Sequence, residues 1–168
     1  MNNAHLVTYL NDHLAGSVVA LELLDGLERE HAGTPIARFA AGLRAEIEQD
    51  RGELETLMAR LDITESLPRK AVAWLAEKAT ALKLRLDDPH QGALRQLESF
   101  EGLSLGIEGK RLLWRSLQAA SAGNPDLQGL EYDRLAGRAE EQRRGLEPLR
   151  IEAAQAAFGG GSSDRGVA

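Results

Sequence analysis

Residues 94–117 read LRQLESFEGLSLGIEGKRLLWRSL. Apolar residues recur every three or four positions and spread over much of the helical circumference, the pattern of a long helix packed on several sides. Two acids, Glu101 and Glu108, stand inside that apolar field. A buried carboxylate must be paired or coordinated. The stretch therefore sets two expectations: a bundle of helices around it, and a reason for acids within it.

Upstream, Leu6, Leu10, Leu14, Leu21 and Leu24 mark one face of a helix over about 3–31, with Ser17 in the step that Leu14 and Leu21 leave open. AGTP breaks it, with Thr34 as N-cap and Pro35 at the first helical position of the next. That second helix, over about 35–61, carries the stripe Ile36, Phe39, Leu43, Ile47, Leu54, Leu57, Leu61, and Asp50 fills its missing step. DITESLP is a break. Beyond Pro68, the spacing of Val72, Leu75, Ala79, Leu82 and Leu86 predicts a shorter helix over about 68–86, ended by Asp87, Asp88 and Pro89. The third helix is the opening stretch, over about 91–120. Downstream, Asn124 is the expected N-cap and Pro125 the first residue of a fourth helix reaching Phe158, with the stripe Leu135, Ala139, Leu146, Leu149, Ala153, Ala156 and Gln142 in its open step. The glycine- and serine-rich residues 159–168 read as a flexible tail outside the 1–158 domain.

The totals agree with this reading. A chain of 168 residues is one domain's worth. Its net charge of −6 argues against nucleic acid as a partner. The absence of cysteine removes disulfides and thiolate chemistry. No run approaches the ~20 apolar residues of a membrane span, and Met-Asn-Asn-Ala-His does not open a signal peptide. The expectation is a cytoplasmic protein with no membrane partner.

Short turns make the first two helices, and the last two, antiparallel neighbours. The long middle segment can carry the chain back along the bundle, so that helices 2 and 3 run parallel. Counted from the shared end, the interruptions at Ser17, Asp50, Ser104 with Glu108, and Gln142 then fall at one height, about 20–25 Å in by the helical rise. They form a candidate central polar layer. An irregular five-helix bundle, with residues 72–86 in the core, is the alternative architecture.

In helix lengths, connectivity and the level of that layer, residues 3–158 resemble the ferritin-like superfamily. The resemblance implies an all-α, ferritin-like four-helix bundle with a helix-containing crossover between helices 2 and 3. In that superfamily the layer usually holds two metals, with one Glu from each of two helices and Glu-x-x-His from each of the others. This chain departs from the pattern. The inward pairs are Ile47-x-x-Asp50 and Ala139-x-x-Gln142, helix 1 offers Ser17, and only Glu108 matches a family ligand. Two acids at most are a poor set for a hard dinuclear site.

Other motifs read as architecture. Glu28-x-x-His31 lies at the end of its helix, where a cation complements the dipole and Glu28 meets a basic neighbour. Arg111, Arg115 and Arg138 are placed to neutralise Glu108 or Glu101. Trp74 and Trp114 read as core or seam residues, and Lys78, Lys83, Arg85, Arg143 and Arg144 as solvated faces. GIEGK is no phosphate loop, and no serine has a histidine in reach for nucleophilic work. The expectation is a non-catalytic bundle with a degenerate metal layer and no cofactor, partnered by itself or another protein. The competing expectation is an oxidoreductase or iron-handling protein in which Asp50 and Glu108, with His13, bind iron or manganese. A carrier of a small polar ligand is a third.

Overall fold

The computed structural model describes residues 4–66 and 92–159. They form four helices and no strand: α1 (Ala4–Glu30), α2 (Pro35–Arg60), α3 (Gly92–Ser121) and α4 (Tyr132–Phe158). The predicted crossover helix over 68–86, with Trp74, Lys78, Lys83, Arg85 and the stripe from Val72 to Leu86, lies outside the described residues, as do the crossover's role in a five-helix alternative and the tail beyond Gly159. None of the described helices is long and apolar enough to cross a membrane.

Each connection has a local cause. Between α1 and α2, Gly33 takes a positive φ of 81° that favours glycine. Thr34 then caps α2, its hydroxyl accepting from the Ala37 amide, and Pro35 opens the helix. At the far end of α2 the chain closes in a Schellman arrangement. The Ile63 amide donates to the Met58 carbonyl at 2.9 Å and the Asp62 amide to Ala59 at 3.1 Å. Asp62 bears the left-handed conformation, φ 53°, that this motif requires. Ile63 is thereby turned onto the core cluster that contains Met58.

The fourth helix starts later than its sequence suggests. Asn124 and Pro125 open only a single 3₁₀ turn, Pro125–Leu127, with the Asn124 side chain accepting from the Asp126 amide. Leu127 is drawn into the core, and the Tyr132 hydroxyl donates to its carbonyl at 2.5 Å. The chain then reverses through Gly129, φ 93°, before α4 begins at Tyr132. A continuous helix from Pro125 would not allow that reversal.

The core divides into two clusters along the bundle. One joins Leu10 and Leu14 of α1, Leu54, Leu57 and Met58 of α2, Leu113, Trp114 and Leu117 of α3, and Tyr132, Leu135 and Ala136 of α4. The other joins Leu24 and Leu27, then Ala40, Leu43 and Ile47, then Leu97, Phe100, Leu103 and Ile107, then Ala139, Leu146 and Ala153. The N-terminal halves of α1 and α4 therefore share a level with the C-terminal halves of α2 and α3. Helices α2 and α3 run parallel, and α1 and α4 run against them. Arg60 and Gly92 consequently lie at opposite ends of the bundle, about 40 Å apart by the helical rise. Polar links agree with these levels: Arg95 reaches Glu30 at one end, and Asn11 accepts from the Ser66 amide at the other.

Because Asp62 holds φ 53° without glycine, a β-branched residue there should be strained. Asp62→Val is expected to cost ~1–2 kcal/mol in urea unfolding, while Asp62→Gly should be neutral or slightly stabilising.

Candidate functional site

The boundary between the two apolar clusters is where each helix carries a polar residue. Asp50 lies between Ile47 and Leu54, and Gln142 between Ala139 and Leu146, and the fold buries both: Asp50 is 2% exposed and Gln142 4%. On α3 the residue at this level is Lys110, between Ile107 and Leu113. It donates to a carboxylate oxygen of Asp50 and, at 2.6 Å, to the Gln142 side-chain carbonyl. The Gln142 amide donates in turn to Asp50 Oδ2 at 3.2 Å. Arg138, one turn before Gln142, closes an ion pair on Asp50 Oδ1. One carboxylate from α2 is thus held by one cation from α3, and by a second cation and an amide from α4.

The electrostatics follow from burial. Only about a seventh of each cationic side chain is exposed (Lys110 15%, Arg138 16%). Burial lowers the affinity of Lys110 for its proton, Asp50 opposes that shift, and the neighbouring charge of Arg138 adds to it. Glu46, one turn before Asp50 on α2, acts in the same favourable sense as Asp50. Two cations therefore share one buried anion, with Glu46 supplying a more distant second negative charge.

The other candidate layer residues are placed differently. The Ser17 hydroxyl donates to the Leu14 carbonyl of its own helix at 2.6 Å. Ser104 is half-buried on α3. Glu108 stands at the seam of α3 and α4 with its side chain 29% exposed, taking two hydrogen bonds from Arg111 and one from Arg143. The hydrogen bond from Arg111 is the main reason its carboxyl sits below the usual range. Glu101 is more open and faces Arg150 at 3.6 Å. Of the arginines expected to neutralise these two acids, Arg111 serves Glu108, Arg138 serves Asp50, and Arg115 pairs with Asp133. His13 lies on α1 against the Tyr9 ring in an edge-on contact of 4.7 Å, and burial lowers its pKa, opposed by Asp12. Glu28 accepts from Arg44 across the α1–α2 seam at 2.6 Å. Trp114 is core.

Lys110 is the member that sequence reasoning passed over. Its signal was present: Leu103, Ile107, Lys110, Trp114 and Leu117 step by fours and threes along the inward face of α3. Read only within GIEGK, it passes for part of a failed phosphate loop and not for a member of that stripe.

The donor chemistry here suits ion pairing more than metal binding. Both oxygens of Asp50 already face cationic groups, and a metal beside Asp50 would sit against Lys110 and Arg138. Among the described residues, no group of three or more His, Asp or Glu is gathered as a ligand set. No family model, curated protein or solved structure matches the chain.

Asp50→Leu should leave two buried cations facing each other and cost about 3–5 kcal/mol in chemical denaturation. Lys110→Met, which leaves Arg138 on Asp50, is expected to be close to neutral. The triple replacement Asp50→Leu, Lys110→Met, Arg138→Met should recover most of the loss. His13 gives a separate pH signature. Its folded pKa lies below its unfolded value, so between the two the unfolded chain binds more protons. Stability should therefore fall as pH drops below about 6.5, and His13→Gln should flatten that fall.

Proposed function

We propose that this chain is a ferritin-like helical scaffold that does no catalysis, in which a fixed ion cluster stands where related bundles hold metal. The observation that carries this reading is the engagement of Asp50 by Lys110 and Arg138 at the boundary between the two core clusters. A ferritin-like metal layer gathers carboxylates and imidazoles around a divalent ion. Here an ammonium and a guanidinium supply positive charge at the same level. The ferritin-like part of the reading is supported by helix direction. The parallel run of α2 and α3 requires a return along the bundle, and the 31 residues after Arg60 and before Gly92 give ample length for it.

The scaffold reading also suits the remaining charged residues. Arg44 with Glu28, Arg134 with Glu53, Arg143 with Glu108 and Arg150 with Glu101 each link neighbouring helices. Being partly exposed, each adds little stability, and together they bridge adjacent helices around the bundle.

The test is metal content. The untagged protein, loaded aerobically with Fe(II) or Mn(II) and desalted, is expected to retain far less than one metal per chain. Near-stoichiometric metal that disappears in Glu108→Ala or Asp50→Ala would overturn the scaffold reading. It would favour an iron or manganese oxidoreductase built on Asp50, Glu108 and His13.

A further inference from the structure

Helix α1 has a second apolar side. Among the described residues, Ala15 is the one buried apolar residue that belongs to neither core cluster, and it is 3% exposed. Val18 and Val19, one turn further, are partly buried and also stand outside both clusters. Leu10, Leu14 and Leu24 give α1 its core side, where the other helices meet it. Ala15 and Val19 lie on the opposite side by helical position. Burial there requires a further element packed against it.

The chain itself supplies one end of that cover. Ser66, the last described residue before the crossover, donates its amide to Asn11 Oδ1 at 2.6 Å, and Asn11 is 2% exposed. Asn11, Ala15, Val19 and Leu23 step by four and form one ridge inclined across the outer side of α1. At its far end Leu23 reaches α3, where a Cβ added at Gly102 would meet the leucine Cδ1 at 3.4 Å. The ridge therefore runs from the point where the chain leaves α2 to the helix that it next enters. A path over α4 would abandon this ridge, since α4 lies diagonally across the bundle from α1.

Length and charge agree with this route. The crossover starts level with Asn11 and ends level with Glu30, which Arg95 of α3 meets. That span is about 28 Å by the helical rise, and a helix over 68–86 covers about the same distance. Between His5 and Arg29, α1 has no lysine or arginine. Its Asp12 and Glu22 flank the ridge, are exposed, and make no ion pair among the described residues. Residues 67–86 carry Arg69, Lys70, Lys78, Lys83 and Arg85 against one acid, Glu77. A basic segment with a narrow apolar stripe fits an apolar ridge edged by acids.

We propose that the outer side of α1 is the docking surface for residues 68–86 of the same chain, which run parallel to α1 along the ridge from Asn11 to Leu23. The stripe from Val72 to Leu86 meets Ala15 and Val19, and the contact is a layer outside the four helices, not a fifth member of their core. This rests on the ferritin-like part of the proposed function, which needs a return along the bundle but not this route. Metal retention tests the central layer; the measurements below test the route alone.

The absence of cysteine from the chain allows a direct test. Spin labels are placed on Lys78→Cys with Asp25→Cys on α1, and on Lys78→Cys with Arg144→Cys on α4. Both α1 and α4 positions are exposed. Electron–electron dipolar spectroscopy of the full chain should give a distance to Asp25→Cys shorter by about 10 Å than that to Arg144→Cys, one interhelical spacing or more. Equal distances, the reverse order, or distributions that overlap completely would overturn the proposal. A second reading follows the covered face. Thiol labelling of Ala15→Cys should be several-fold slower than that of Asp25→Cys, and Leu75→Asp should accelerate it several-fold while Leu135→Cys in the core stays protected. An Ala15→Cys rate that Leu75→Asp leaves unchanged would also overturn it. Should Leu75→Asp expose Leu135→Cys as well, the two spin-label distances, measured with Leu75 in place, decide.

Discussion

Asp50 puts a full negative charge at the middle of a helical bundle, and its neutralisation is the constraint around which the centre is built. A carboxylate this deeply buried must be given counter-charge and hydrogen bonds. The counter-charge comes from two other helices, Lys110 from α3 and Arg138 from α4, and Gln142 adds a hydrogen bond to Oδ2, while Oδ1 meets the Arg138 guanidinium through the ion pair alone. Satisfying one side chain of α2 therefore fixes how far α3 and α4 are shifted along it. Above and below, the two apolar clusters are held by burial, which is less directional than an ion pair. The ion cluster distinguishes one register from the others, because a one-turn shift of α3 would carry Lys110 away from Asp50 and Gln142, and a one-turn shift of α4 would carry Arg138 away from Asp50.

This specificity has a thermodynamic cost. Burial works against the proton of Lys110, and Arg138 adds repulsion. Because the folded pKa is lowered, the folded state binds fewer protons than the unfolded chain over the window below the ordinary lysine value. Lys110 therefore subtracts stability at neutral pH, and that penalty fades as pH rises through the window. Burial of apolar residues on both sides of the layer, from Phe100 and Leu103 to Trp114 and Leu135, offsets it. The layer is better understood as a device for register than as a source of stability.

Much of this was legible in the chain. The break at AGTP, with Thr34 and Pro35, is local chemistry, and the structure uses both residues in their expected positions. The interruptions at Asp50 and Gln142 were visible because they sit in otherwise apolar stripes, and both are buried in contact with each other. Asn124 and Pro125 misled because the same pair suits a 3₁₀ turn as well as a helix. Only the burial of Leu127 and the reversal at Gly129 decide between them. Glu108 belongs to the right stretch of α3 but lies at a seam, since a helix with apolar residues on several sides does not declare which side is central. The partner of each arginine was not legible either. Arg138 lies near several acids by helical position, and only the packing of α4 against α2 brings it to Asp50.

Direct titration of Lys110 tests the central claim most closely. The chain has four lysines, so the side-chain ¹⁵N or ¹³Cε resonances can be assigned by single replacements and followed with pH. Lys110 is expected to titrate below the ordinary lysine value. In Asp50→Asn the midpoint should fall further, because the carboxylate is what opposes its deprotonation. A Lys110 that titrates at the ordinary lysine value and does not respond to Asp50→Asn would contradict the account, since the ammonium would then stand in water and not on the buried carboxylate.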